Sequence, residues 1–217
     1  MTVVELPLAD FGGLTVQYDD QVLRPRPWTL AQSVWSADLL RTAPEGRVLE
    51  LCAGVGHIGL AAVAESRREL VLVDLNPAAC ALARRNIDAA LMTNRVEVRQ
   101  GRMDVVIEAN EKFALIIADP PWVPTSGIEE FPEDPSIAID GGPDGLDLAR
   151  TCCAVVDTHL ARGGAAVLQL GTAEQVDAIA DHLEHDLASP LRVIEVRTYD
   201  RGVLALLSVP PPPTLAQ

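Results

Sequence analysis

The stretch Glu50 to Gly59, ELCAGVGHIG, lies between a strand-like run, Arg47 to Leu51, and a helix-like run, Ile58 to Glu65. Glycines there permit turns at positive φ and let another group approach the backbone, so the chain can pass from strand to helix around a concave loop. The alternation continues. Leu70 to Val73 reads as a strand and Pro77 to Ala90 as a helix with proline in its first turn; Arg95 to Arg99 and Phe113 to Ala118 are strand-like. Asp144 to Leu160 is helical, Ala165 to Leu170 a strand and Ala173 to Asp186 a helix, and two last strands, Leu191 to Thr198 and Val203 to Val209, pair around Asp200-Arg201-Gly202. This order predicts an α/β fold: a seven-stranded, mostly parallel sheet with helices on both faces and one antiparallel strand from the closing hairpin. In such sheets ligands sit at the carboxyl ends of the strands.

With 217 residues, 48% of them hydrophobic, the chain can bury one substantial core. Residues 1–28 read as an extended, hairpin-like segment forming a lid or edge, 29–209 as the domain, and 210–217 as a disordered proline-rich tail. No window approaches the roughly 20 apolar residues of a membrane span. The start MTVVELPLADF lacks the basic and apolar runs of a signal peptide, so the expectation is a cytoplasmic protein with no membrane partner. Cys52, Cys80, Cys152 and Cys153 form neither a C-x-x-C pair nor a disulfide framework, and no metal site is expected. A formal charge of -14 argues against nucleic acid as a partner, because gripping phosphates takes a basic stripe and the arginines are scattered.

A second strand end carries more chemistry. In ALIIADPPWVPT, residues 114–125, the apolar run stops at Asp119-Pro120-Pro121-Trp122. Neither proline can donate to a ladder and each restricts the residue before it, so the strand ends in a fixed, extended shape. Asp119 offers carboxylate oxygens, Pro120 a carbonyl, and Trp122 a flat apolar face, which together could grip a planar group bearing an NH2. Asp119, Pro120 and Trp122 are therefore the candidate catalytic residues. Pro121 and Trp122 are expected to meet the substrate, with Arg26 and Trp28 from the RPRPWT stretch and the long loop 123–142. Thr29 is the expected N-cap of the next helix, with Leu30, Val34, Ala37 and Leu40 or Arg41 on its apolar face.

Asp74 closes a strand twenty residues beyond Gly54, where a carboxylate can accept hydrogen bonds from both ribose hydroxyls. Taken alone this is also a dinucleotide pattern, so an NAD-binding protein competes. Two features favour S-adenosyl-L-methionine instead. Glu50 precedes the glycines, where it would repel a pyrophosphate but attract a methionyl ammonium; hydride transfer also has no use for Asp-Pro-Pro-Trp. Cys52, Ala53, Gly54, Gly56, Leu75, Arg102, Met103 and Asp119 complete the expected cofactor contacts. His57 reads as a helix-start residue rather than a catalyst.

These pieces, RPRPWT, VLELCAGVGHIGLAAV, LVLVDLNPAACALARRNI, IIADPPWVPT and SIAIDGGPDGLDLAR, span Arg24 to Val209 and resemble the small-methyltransferase domain of HemK/PrmC-type class I methyltransferases. The resemblance implies a Rossmann-like sheet, S-adenosylmethionine as donor with S-adenosyl-L-homocysteine as product, and N-methylation of a glutamine amide in a protein. Asp119 and Trp122 depart from the family's Asn-Pro-Pro-Tyr; an ionised Asp only accepts hydrogen bonds, which widens the acceptors to amines of proteins or small molecules. Asp-Pro-Pro-aromatic also resembles adenine-N6 methyltransferases of RNA or DNA, and a non-catalytic cofactor-binding subunit is a further alternative. Arg102 stands where relatives place an acid near the adenine, so Met103 or Asp104 is expected to substitute. No counterpart of the release-factor enzymes' N-terminal helical domain is expected here. The pattern is silent on oligomeric state.

Overall fold

Strands β3 (Arg47–Leu51), β4 (Leu70–Asp74), β5 (Val96–Gln100), β6 (Phe113–Ala118), β7 (Leu160–Leu170), β8 (Arg192–Thr198) and β9 (Val203–Ser208) form one sheet in the order β5-β4-β3-β6-β7-β9-β8. The first five run parallel, and β9 is antiparallel to both β7 and β8. This computed structural model describes residues 6–211; residues 1–5 and most of the expected proline-rich tail lie outside the described residues. A separate hairpin, β1 (Leu8–Phe11) and β2 (Leu14–Gln17), turns at Gly12-Gly13. It packs beside the helix Pro77–Ala89, where Asn86 Oδ1 accepts from Gln17 N at 2.7 Å and Asn86 Nδ2 donates to Gln17 O at 3.1 Å.

All six residues of β6 are buried, which is why it reads as an unbroken apolar run and takes the central place. Core side chains divide between the two faces: Leu49, Leu51, Ile116 and Leu168 on one, Val48, Leu72, Leu115 and Ile117 on the other. Each such aliphatic side chain stabilises the fold by about 1.5–3 kcal/mol relative to leaving it exposed. The strand order reverses beside β3, so the chain leaving β3 and the chain leaving β6 diverge and open a crevice. Register fixes what faces it. Leu51 pairs with Val73 on one side and Ala118 on the other, so Cys52, Asp74 and Asp119 come abreast at the carboxyl edge.

The helices are α1 (Leu30–Leu40), α2 (His57–Val63), α3 (Pro77–Ala89), α4 (Met103–Val106), α5 (Ser136–Ile139), α6 (Asp147–His159) and α7 (Ala173–Asp181). The first departs from expectation twice. Thr29 has helical backbone angles and makes no side-chain cap; its hydroxyl donates to Arg26 O at 2.9 Å, closing a 3-10 turn. Of the expected apolar face Leu30, Val34, Ala37 and Leu40, only Leu40 is buried: Val34 is 55% exposed, while Gln32, Ser33, Trp35 and Ser36 are buried. Two of the polar side chains go inward bonded to carbonyls, Ser33 Oγ donating to Ile58 O at 2.9 Å and Gln32 Nε2 to Ala118 O at 2.9 Å, while Ser36 Oγ is buried with no partner among the described residues. Helix α6 starts at Asp147 rather than Asp144, because the Asp144 carboxylate accepts from Leu146 N and pairs with Arg150 at 2.5 Å. Strand β7 begins five residues early, at Leu160, and rejoins β6 across a bulge.

Glu111 ties three elements, with Arg47 at 2.5 Å and Arg99 at 2.6 Å. The Arg99 guanidinium holds its carboxyl down at about 2. A depressed carboxylate stabilises the fold above its unfolded value and loses that contribution as pH falls toward 2. Glu111→Gln should therefore cost about 1–2 kcal/mol at pH 7 and less at pH 3, read by chemical denaturation at both pH values.

Candidate active site

The crevice is a cavity of about 550 Å³ at the carboxyl edge, walled by the loops after β3, β4, β5 and β6 and by the helical turn α5. Among its lining residues are Cys52, Ala53, Gly54, Asp74, Leu75, Arg102, Met103, Asp119 and Pro121, with Ser136 to Ala138 and Asp140 from the 123–142 loop. The structure thus brings both strand-end motifs to one space.

The glycine loop is shaped by its backbone. Gly56 has φ 80° and starts α2, and a Cβ on it would lie 2.7 Å from Leu72 Cδ1. Asp74 Oδ2 accepts from Gly54 N at 2.7 Å and Oδ1 from Asn76 N at 2.8 Å. Burial raises the Asp74 carboxyl above its ordinary value, and these N–H groups oppose that rise. Each oxygen keeps capacity to accept a hydroxyl, as a ribose contact needs. Arg102 pairs with Asp104 at 2.7 Å at the cavity rim, so the expected acidic substitute is present but already bound to the arginine beside it.

Glu50 is placed otherwise than as a direct ammonium contact. It is only 1% exposed, does not line the cavity, and its Oε2 accepts from Gly59 N at 3.0 Å. Burial pushes its pKa well up, the Gly59 N–H opposes that rise and Asp119 and Asp74 add to it; the side chain braces the loop from behind. Gly56 likewise shapes the loop without lining the cavity.

Asp119 faces the cavity with no hydrogen bond or ion pair to its carboxyl among the described residues. Burial pushes its pKa up to about 7. At neutral pH this side chain is therefore both an acid and a carboxylate in comparable amounts. Pro121 lines the same wall, but Pro120 and Trp122 do not. The Trp122 ring lies instead against Gly171 at the end of β7, where a Cβ would come within 2.8 Å of ring atom Cζ3. An added side chain there has no room, so the ring takes the space a residue would occupy.

The IDGGPDG stretch explains itself by close approach. Gly141 N donates to Val123 O at 2.9 Å, and a Cβ on Gly141 would meet Pro121 O at 2.7 Å. Only glycine lets this loop lie along the Pro121-Trp122 backbone. Arg26 and Trp28 stand apart from the cavity. Arg26 pairs with Asp134, and Trp28 lines a second, outer groove, with the guanidinium of Arg201 5.0 Å from its ring centre.

Sequence reasoning passes over two glutamines. Gln32 Nε2 donates to Ala118 O at 2.9 Å and to Val167 O at 3.0 Å; Gln175 Nε2 donates to Trp122 O at 2.9 Å while its Oε1 accepts from Gly171 N at 2.8 Å. His57 starts α2 as expected; its ring meets Phe11 edge-on at 4.6 Å and burial lowers its pKa to about 4.

Residues 35–130 match the methyltransferase small domain family. The release factor glutamine methyltransferase of Caulobacter vibrioides is 30% identical over 206 residues, covering 90% of this chain and 70% of that one. The chain belongs to the HemK/PrmC-like family of class I methyltransferases. A second release factor glutamine methyltransferase, from Deinococcus radiodurans, is 34% identical over 166 residues; the match covers 74% of this chain and 58% of that enzyme. Several of the relatives are thus matched over less than two thirds of their length. The ribosomal protein L11 methylase of Lactobacillus delbrueckii subsp. bulgaricus shares the fold, with a TM-score of 0.63 at 13% identity over 87% of this chain and 81% of that one. This HemK/PrmC-like family uses S-adenosylmethionine, and the cavity suits it: glycine backbone, a carboxylate placed for a ribose, and the apolar Met103 and Leu75 on its wall.

Proposed function

We propose that this chain methylates a protein at the side-chain amide nitrogen of a glutamine, with S-adenosylmethionine as donor, in the cytoplasm. The observation that carries this reading is the shared cavity: Asp74 and Gly54 at one strand end and Asp119 at another wall the same space. Bound there, S-adenosylmethionine would supply an electrophilic methyl on a sulfonium. The chain's own part is alignment, because displacement of a neutral thioether calls for no strong base. Asp119 accepts hydrogen bonds from the acceptor NH2 and orients its nitrogen, with Pro121 on the wall beside it. In its neutral form the Asp119 carboxyl also donates, so it can hold the C=O of an amide as well as the NH2.

The cavity's charge weighs against a nucleic acid acceptor. Asp74, Asp104, Asp119 and Asp140 line it, against Arg102, which Asp104 already pairs. The glutamine specificity of the relatives' names supports a protein acceptor. No described helix is long and apolar enough to cross a membrane.

The test is methyl transfer from labelled S-adenosylmethionine to cell extract and to glutamine-containing peptides, followed by mass analysis of the products. A methyl on glutamine nitrogen is expected; label confined to RNA, DNA or small amines would overturn the assignment. Asp74→Ala should weaken S-adenosylhomocysteine binding by roughly tenfold or more in calorimetry, with little change in kcat at saturation, since its hydrogen bonds are made equally in ground and transition states.

A further inference from the structure

The four residues Asp119 to Trp122 leave the sheet with almost no backbone bonding of their own. Two are prolines without an N–H, and the Asp119 N–H reaches Leu51 O only at 3.5 Å. Their placement depends on the carbonyls at the two ends, and each end meets a glutamine carboxamide. Upstream, the buried Gln32 on α1 gives both its N–H groups to Ala118 O and Val167 O, bridging β6 to β7 at the last residue before Asp119. Downstream, Gln175 in the first turn of α7 binds Trp122 O and Gly171 N, and reaches Asp144 O at 3.4 Å. The two helices pack on opposite faces of the sheet, so the segment is held from both sides.

We infer that Gln32 and Gln175 are positioning residues that fix the Asp119–Trp122 segment by its two ends, and that Trp122, seated on Gly171, is part of that anchorage rather than a stacking surface for the acceptor. Gln32 is held there for donation alone: its Oε1 is buried with no partner among the described residues, a cost an apolar residue would avoid. Gln175 uses both ends of its carboxamide. Neither side chain lines the cavity, so each acts through the segment and not on the acceptor.

The inference rests on the methyl-transfer reading, and two readouts keep them separable. Gln32→Met and Gln175→Met keep length and approximate volume but remove the donors. Each should lower kcat on the order of tenfold or more, as small misplacements of reacting groups do, with acceptor KM and S-adenosylhomocysteine affinity within about twofold of wild type. Gln175→Glu, ionised, keeps an acceptor for Gly171 N but has no donor for Trp122 O, and should fall with the Met variant. In the unliganded proteins, hydrogen exchange at Gly171 and Val123 should quicken in Gln175→Met, while residues 48–74 keep wild-type protection. Full kcat in both Met variants, or unchanged exchange, overturns the clamp. A kcat loss matched by an equal loss of S-adenosylhomocysteine affinity overturns it too, since that is general structural damage. If wild type binds S-adenosylhomocysteine and methylates nothing, the functional reading fails and the exchange data still decide the clamp.

Discussion

Asp119→Ala is expected to lower kcat by roughly a hundredfold to a thousandfold, the range seen when one oriented hydrogen-bonding group is removed from a reacting centre. The dissociation constant for S-adenosylhomocysteine should barely change, because the loop at Gly54 and the Asp74 carboxylate form a different wall of the cavity. Stability should not fall either: removing a buried carboxyl with no partner relieves a desolvation cost. Asp119→Asn separates the roles of shape and charge. An amide side chain accepts and donates at every pH, so with a glutamine acceptor the Asn variant should retain most of the wild-type rate at pH 7. Single-turnover kinetics beside calorimetry reads both quantities. An Ala variant with wild-type kcat removes Asp119 from the chemistry, and a dead Asn variant with intact binding removes the amide acceptor.

The sheet is legible in the sequence because strand and helix periods differ and because buried parallel strands need unbroken apolar runs, as β6 shows. The meeting of Gly54 and Asp119 follows from topology alone, since both lie at carboxyl ends beside the strand where the order reverses. What escapes the pattern is polar and long-range. Gln32 looks like a solvent-facing residue because its partners, Ala118 O and Val167 O, lie 86 and 135 residues away. The same blindness shifts the buried face of α1, where hydropathy selects Val34 and the fold selects Gln32 and Ser33, the latter bonded to Ile58 O. Glu50 is misplaced for a related reason: its charge suggests a ligand, yet the Gly59 N–H at the helix start reaches it first. The outlying position of Trp122 has one available signal, the glycine at 171 following an apolar strand, which leaves a hole of ring size.

The pH dependence of kcat/KM should carry the opposite sign for an amide and for an amine, and this distinguishes the two acceptors that Asp119 leaves open. Burial raises its pKa to about 7, so the neutral acid predominates below that value and the carboxylate above it. An amide needs a donor for its C=O and an acceptor for its NH2, which only the neutral acid supplies; kcat/KM with a glutamine peptide should then fall about tenfold per pH unit above the midpoint. An amine with a lone pair to be oriented needs acceptors alone, and its rate should rise with pH and level off. Glu50, Cys52 and Asp74 lie near Asp119 and none is a cation, so among the described residues no neighbour pulls the midpoint down. A positive charge bound in the cavity would lower the midpoint while leaving the sign of the slope as it is. Asp119→Asn supplies the control: its profile with the amide should be flat from pH 6 to about pH 9, and a slope that survives the substitution assigns the titration to another group.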